Sequence, residues 1–365
     1  MLRKITLTLL TMCATAWPSE SQTRNYDAIF GKERLVKNAC HGDDSYDHID
    51  HTDLRTVANN LLPYQNPDGG WPVNIDWLDA SPASQVMAAV EEKHRVSALD
   101  NKNVCMHIEL LAEAYKEYRD DAYKTAVTRG IAYILNSQME NGGWHSSHSG
   151  DISFNGYIMS ACIKTMYVIS RGEEPFDWVQ KSIRKKCEVA YKRGLEVALK
   201  CQYHLADGTL GGWCHHHDKE TLAPTQGRGY ELPCLSSAET SYFAVVLMSI
   251  SKPSAEVRAA IEGAVAWLEK AAIYGLRVES VPLAEDPDWH GKHYDRVVVK
   301  DPEAKRIWGR SYELDGQTAF FCNKDGSKFH NLSEIDVERR ANYGWYGYWA
   351  EGALAAYRVW KANLK

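Results

Sequence analysis

Three phrases of one kind punctuate this chain: QNPDGGW at residues 65–71, QMENGGW at 138–144 and the longer QYHLADGTLGGW at 202–213. Their tryptophans, Trp71, Trp144 and Trp213, stand 73 and then 69 residues apart. A period of this size marks a repeated supersecondary unit. Between the phrases, apolar residues return at helical spacing at Val104, Ile108, Leu111 and Tyr115, then at Tyr123, Val127, Ile131 and Ile134, then at Met159, Cys162, Ile163 and Met166. Ile183, Cys187, Tyr191 and Gly194 continue the series, and Val257, Ala260, Ile261, Ala264 and Trp267 form one stripe. Residues 243–250 are nearly all apolar, as in a helix buried on every side, and a last helix carries Tyr346, Trp349, Ala353 and Tyr357.

This order predicts an all-α fold, an α/α toroid or incomplete (α/α) barrel. Helical hairpins would form its inner and outer rings, with long polar loops at one end and the GGW phrases as reversals. Glycine permits the tight backbone, and a buried tryptophan anchors each corner. A single domain is expected over residues 23–365. Of 365 residues, 44% are hydrophobic, enough for a large core, and the net charge of -6 argues against nucleic acid as a partner.

The first residues place Arg3 and Lys4 before an apolar stretch too short to span a bilayer, followed by Ala14-Thr15-Ala16. That pattern predicts a signal peptide over residues 1–22, and hence a secreted or periplasmic protein without a membrane span. Leu10 to Cys13 makes a poor lipoprotein box, because Met12 is too large for the position before a lipidated cysteine. The remaining eight cysteines are too sparse for a disulfide scaffold. Cys105, Cys162 and Cys187 fall on apolar helical positions and read as small buried hydrophobes. A monomer is expected.

The most polar, least repetitive segments are 64–77, 97–103, 144–157, 213–236 and 308–326, rich in Trp, Tyr, Asp, Asn, Arg and His. That mixture suits stacking on sugar rings and gripping carboxylates, and long loops on a rigid frame commonly carry function. Within them, the run Cys214-His215-His216-His217-Asp218 looks like a metal site. Adjacent loop residues point different ways, however, and zinc-ligand spacing is lacking. Glu338-Arg339-Arg340 reads as a salt-bridged turn before the last helix.

These segments resemble the loops of the polysaccharide lyase family 10 pectate lyases. YQNPDGGWPVNID, LDN at 99–101, QMENGGW and SFN at 153–155 follow the family's phrases in order. WCHHHDKETLAPTQGRGYELPCLSSAE at 213–239 matches in spacing and type, and WGRSYEL, NKDG and EIDVERRANYGWYG complete the pattern. The resemblance spans nearly the whole mature chain. It implies a galacturonate-containing polysaccharide or oligosaccharide as substrate. In the family, calcium bridges a uronate carboxylate to the protein, an arginine removes the C5 proton, and the C4 oxygen leaves by β-elimination. By alignment Arg228 is the base, Asp100 and Asn101 are calcium ligands, and Arg310 and Lys324 hold substrate carboxylates. Lys324 stands where the family usually has arginine, keeping the charge but losing the fork. Trp71 and Tyr230 are the expected aromatic substrate contacts.

One departure bears on the metal. The family continues Phe-Asn-Asp, with that aspartate a calcium ligand, whereas this chain reads Phe154-Asn155-Gly156. Either another oxygen, from Asp151 or Glu239, completes a hard-cation site, or calcium binds weakly or not at all. An arginine base also needs neighbouring cations to disfavour its charged form, which predicts an alkaline optimum. Two other readings stay open: a uronide-binding relative without catalysis, and a toroidal glycoside hydrolase using Asp100 with Glu239.

Overall fold

Helices form where the apolar spacing is helical. The computed structural model describes residues 37–43, 45–283 and 293–364, and the expected signal peptide lies outside them. The chain falls into two compact units. Among the described residues, one holds everything up to Ser147 together with Gly156–Glu196; the other holds His148–Asn155 and everything from Val197 onward.

The first unit contains α1 (Leu54–Leu61), α2 (Ala83–Ala89), α3 (Asn103–Tyr118), α4 (Asp121–Asn136), the short strand β1 (His145–Ser146), α5 (Ile158–Arg171) and most of α6 (Lys181–Lys200). Asp53 caps α1 by accepting the Thr56 N–H at 2.9 Å, and Asp120 caps α4 by accepting the Ala122 N–H at 2.9 Å. The second unit packs α7 (Ser237–Met248) against α8 (Ala255–Lys270) and, near the C-terminus, α10 (Trp349–Asn363), which follows the short α9 (Val337–Asn342). Nearly all of α7 is buried, as its apolar run requires.

The repeated phrases are corners, and each is held in the same way. Gln65 Nε2 donates to Gly69 O at 2.8 Å and to Ala126 O at 2.8 Å. Gln138 does the same to Gly142 O and Ala190 O, at 2.8 Å each. Gln202 reaches Gly211 O at 2.8 Å and Ala260 O at 2.9 Å. One amide group therefore ties its own turn to a helix more than 50 residues further on. The tryptophans lock the other side: the indole N–H groups of Trp71, Trp144 and Trp213 donate to Leu61 O, Ile134 O and Ala198 O at 2.9, 2.9 and 2.7 Å. Burying each indole fully removes roughly 150–250 Å² from water, about 4–6 kcal/mol as an upper bound. Gly69 and Gly142 sit at φ +95° and +98°, where a Cβ would lie 2.3 Å from Arg129 O and 2.7 Å from Arg193 O. Only glycine fits both the conformation and the space.

The all-α toroid is corrected by the strands, which form four small sheets among the described residues. In the second unit, β2 (Ser149–Ser153), β3 (His216–His217) and β4 (Pro224–Thr225) are antiparallel, with Ile152 opposite His217 and His216 opposite Thr225. Four strands lie in the order β11-β10-β9-β5: β5 (Leu235–Ser236), β9 (Ser311–Tyr312), β10 (Ala319–Cys322) and β11 (Lys328–Phe329). β8 (Trp308–Gly309) pairs with β12 (Tyr346–Gly347). A longer hairpin pairs β6 (Leu276–Pro282) with β7 (Tyr294–Lys300), from Leu276 opposite Lys300 to Pro282 opposite Tyr294. Its Val297-Val298-Val299 run is strand-forming by its β-branching. Most of the other strands are two residues long, too short for an alternating pattern to register. They have a positional consequence: Arg228 follows β4, Arg310 joins β8 to β9, and Lys324 lies in the turn between β10 and β11. Beneath those loops Cys214, Cys234, Phe320, Phe321, Cys322, Leu332, Ile335 and Trp345 form one hydrophobic cluster.

Candidate active site

Arg228 lies in a loop that closes on its own glutamate. The Gly227 N–H donates to Glu231 O at 2.9 Å and the Glu231 N–H to Arg228 O at 2.8 Å. The Glu231 carboxylate, turned inward and buried, accepts from Arg228 Nη2 at 2.5 Å and from the Arg228 N–H at 3.0 Å. Two further partners are Asn155 Nδ2 at 2.6 Å, from the turn after β2, and His216 Nε2 at 3.3 Å, from β3. Gly229 brings this loop against the chain at Lys324, since a Cβ there would stand 2.2 Å from Lys324 O.

Burial alone would raise the Glu231 pKa, but the hydrogen bonds from His216 and Arg228 outweigh it and hold the carboxyl far below the usual range. Burial pulls the Arg228 guanidinium down, and the bond and charge of Glu231 more than offset this. Arg228 is therefore held above the ordinary arginine value. Its side chain is 39% exposed, so one face reaches solvent.

Arg310 repeats the arrangement. Its Nη2 donates to Glu239 Oε1 at 2.5 Å. Glu239, fully buried, also accepts from Ser236 Oγ and stands 3.6 Å from His215 Nδ1. Burial raises the Glu239 pKa, yet Arg310, His215 and Ser236 bring it below the ordinary value. His215 is itself pushed down to about 4 by burial. Aromatic rings link the two arginines: Tyr230 and Tyr343 meet edge to face at 5.2 Å, Arg228 lies 5.0 Å from the Tyr230 ring and Arg310 lies 5.1 Å from that of Tyr343. Lys324 is mostly exposed and pairs with Glu338 at 3.1 Å.

Several members of this cluster escaped the sequence reading. Glu231 and Asn155, bonded across 76 residues, carried no local signal, although Glu231 lies inside the matched stretch GRGYELP. Arg339, taken there with Arg340 as a structural turn, places its guanidinium 4.5 Å from the Tyr230 ring and 5.6 Å from that of Tyr343. Arg340 does keep to the structural role, in a two-pronged pair with Asp295 at 2.8 and 2.6 Å. Trp71 does not line a binding surface. It is completely buried and bonded to Leu61 O, so its substrate-contact role is corrected to that of a corner. Cys214, His215, His216 and His217 go to separate partners: Cys234 Sγ at 4.0 Å, Ser311 Oγ at 3.3 Å, Glu231 and Leu222 O at 2.9 Å.

The expected calcium ligands belong to the first unit, on a single turn from Asp100 to Lys102 just before α3. Asp100 Oδ2 accepts the Ser147 N–H at 3.0 Å, and Asn101 has the left-handed φ of 57°. Gly156, at φ +60°, packs so closely that a Cβ would lie 2.8 Å from Asn101 N. This unit thus offers one carboxylate and one amide at that turn, against the six to eight oxygens that calcium takes. By itself, this turn does not complete a calcium site among the described residues of the first unit. In the second unit, Asp151 accepts from the Lys219 N–H at 3.3 Å and Glu239 is committed to Arg310.

Arginine forks, a lysine and aromatic rings on strand-held loops are groups whose chemistry suits planar carboxylates. The chain belongs to the pectic acid lyase family, whose model matches residues 65–354. No curated protein matches it. Its fold is similar to that of a family 10 polysaccharide lyase from Cellvibrio cellulosa, at 23% identity, with 92% of this chain and 97% of that chain covered and a TM-score of 0.71. A mutant of the lyase from that organism, solved in complex with trigalacturonic acid, is 24% identical over 83% of this chain and 92% of that one, with a TM-score of 0.69. No helix among the described residues is long and apolar enough to cross a membrane.

Proposed function

We propose that this protein is a secreted or periplasmic polysaccharide lyase that cleaves a galacturonate-containing polymer by β-elimination, with Arg228 taking the C5 proton. The observation that carries the reading is the loop at 227–231, in which a buried carboxylate fixes a partly exposed arginine and Gly229 packs against the backbone at Lys324. In the reaction the C5–H pair becomes the C4=C5 double bond, the C4–O bond breaks, and the departing oxygen is protonated. A proton α to a carboxylate is too weakly acidic to leave unless cations face the charge that develops. Arg310 and Lys324 supply that charge from the substrate's carboxylate side. The trigalacturonic acid complex of the similar lyase supports an oligogalacturonate as the ligand class. Extracytoplasmic location rests on Arg3, Lys4 and the Ala14-Thr15-Ala16 triplet.

A second reading is favoured by one observation: Glu231 holds Arg228 charged, as suits a carboxylate-gripping fork without a proton role. Arg228→Lys separates the two. A base role requires elimination to fall at least ~100-fold while oligogalacturonate binding persists. A gripping role requires binding and turnover to decline together. The assay is ultraviolet absorbance of unsaturated uronide beside a direct binding constant. If the unaltered protein binds uronides but yields no unsaturated product across alkaline pH, with or without calcium, the lyase reading is refuted.

A further inference from the structure

A second set of ligand-type side chains lies in the first unit. Cys40, His41 and Asp79 bring one donor atom each to within 4.8 Å of one another. Cys40 is partly exposed, whereas the other seven cysteines among the described residues are buried. The three side chains are braced from behind. Asp79 is fully buried, with Oδ1 accepting the Ser81 N–H at 2.8 Å and Oδ2 accepting Asn38 Nδ2 at 2.6 Å. His41 Nε2 stands 2.7 Å from the same Oδ2, and the imidazole lies flat on Tyr46, with centroids 3.8 Å apart and planes 2° apart. Tyr46 is fixed in turn by its hydroxyl, which donates to Asp76 Oδ2 at 2.8 Å. The backbone pins the two strands of chain together: Asp76 N–H to Asn38 Oδ1 at 2.8 Å, Ala80 N–H to Asp47 O at 2.9 Å, and Ile49 N–H to Leu78 O at 2.8 Å.

We propose that Cys40, His41 and Asp79 form a site for a zinc-class divalent cation, which clips residues 38–41 to the 76–79 loop. A thiolate, an imidazole and a carboxylate are the donors such ions take, and a hard cation that avoids sulfur is disfavoured. With metal bonds of about 2.0–2.3 Å, tetrahedral ligand atoms lie ~3.3–3.7 Å apart, so side-chain rotations close the present spacing. The cation takes the place of the hydrogen bond between His41 Nε2 and Asp79 Oδ2. Asn38 keeps its bond to Oδ2, and Tyr46 keeps the ring oriented, as outer partners of metal ligands do. A thiol binds such an ion as thiolate, so its proton is released to solvent on binding and affinity falls as pH falls. The fourth position faces outward, where Cys40 and His41 are partly exposed, and takes water. The site is independent of the proposed lyase activity.

The test uses the full chain, stripped with chelator and titrated with Zn²⁺ or Co²⁺. The expected results are one equivalent of zinc retained through dialysis and, with cobalt, a thiolate charge-transfer band together with tetrahedral visible bands. Cys40→Ala should abolish the charge-transfer band and weaken zinc binding at least tenfold. Because Cys40 is partly exposed, this variant should fold, and circular dichroism checks that it does. His41→Gln should weaken zinc binding similarly. Zinc should also raise the melting temperature of the unaltered protein but not that of Cys40→Ala. The proposal is overturned by any one of three outcomes: no zinc retained, cobalt bound without a thiolate band, or zinc affinity unchanged in Cys40→Ala.

Discussion

Gln202 offers the sharpest test of how the repeated corners are held. It is 3% exposed, and its amide nitrogen gives both hydrogens to backbone carbonyls, Gly211 O in its own turn and Ala260 O in α8. Replacing it with alanine strands two acceptors where water has little access, at about 1–3 kcal/mol each. The side chain no longer has to be ordered, which returns ~1–1.5 kcal/mol. The net loss is then roughly 0.5–5 kcal/mol, which calorimetric unfolding reads as a melting point lower by several degrees near the middle of that range. Gln202→Glu sharpens the test, because it keeps the shape and puts a carboxylate oxygen against the two carbonyls. At neutral pH it should cost at least as much as alanine. Gln65→Ala and Gln138→Ala should cost less, since both side chains are only partly buried and water can reach their acceptors. If Gln202→Ala unfolds within about 0.5 kcal/mol of the unaltered protein, or if Gln202→Glu is neutral at pH 7, the glutamine is not what holds the corner.

Gly156→Asp, which would restore the family's residue, should lower stability by about 1–2 kcal/mol, because the left-handed backbone and the 2.8 Å approach to Asn101 N both resist a Cβ. Calcium titration of that variant should show no tight binding, and an unchanged melting point or a tight isotherm would refute this. Lys324→Ala should leave stability within about 0.5 kcal/mol, as an exposed pair contributes little, while weakening oligogalacturonate binding severalfold in a salt-dependent way; Lys324→Arg should retain or tighten it. Stability should fall as pH drops from about 6.5 to about 4. Burial holds His215 and His217 down to about 4 and His107 to about 3, so across that window the unfolded chain takes up protons that the folded one refuses. Each imidazole contributes on the order of 3 kcal/mol to that loss. The carboxyls of Glu231 and Glu239, depressed when folded, add further loss below their unfolded values near pH 4.3. Melting temperatures taken from pH 7.5 to 4.5 check the slope, and a flat profile would contradict it.

The long helices were legible because most of them bury one face along a dozen or more residues, long enough for a 3.6-residue period to stand out, whereas the short α1, α2 and α9 left no such stretch. The corners were legible because their chemistry is local: a glutamine, a glycine at positive φ and an indole lie within one turn. The small sheets were not. A two-residue strand such as His216–His217 has no period, and its pairing with Ile152 and Thr225 is decided by where the helices deliver those segments. The site divides in the same way. Arg228, Arg310 and Lys324 stand in phrases with fixed neighbours, whereas the groups that set their state arrive from elsewhere: Asn155 and His216 on Glu231, and Glu239 on Arg310. Trp71 misled because the phrase that marks a corner also lies in a polar loop, and only burial separates an anchor from a ligand platform.

The arrangement also orders how a uronate chain would enter. Each candidate cation already has a carboxylate, so an incoming one must compete. The Arg310–Glu239 pair is the hardest to open, because Glu239 is fully buried and removing its partner would leave an uncompensated charge away from water. Lys324 is 64% exposed, and its pair with Glu338 gives way at little cost. Arg228 stands between these limits: its buried Glu231 fixes Nη2, while the exposed part of the guanidinium remains open to a ligand. On the proposed reading, a uronate carboxylate would therefore meet Lys324 and the outer face of Arg228 first. The buried pairs keep their geometry and act as fixed charge behind the surface. A negative ligand at that surface raises the Arg228 pKa further, so an elimination through this residue cannot draw its base from ligand charge. It must come from an approach that loosens Glu231 or that sets the cations of Arg310 and Arg339 against Arg228. The stacking of Arg339 on Tyr230, the ring Arg228 also faces, puts one such cation in place before any substrate arrives.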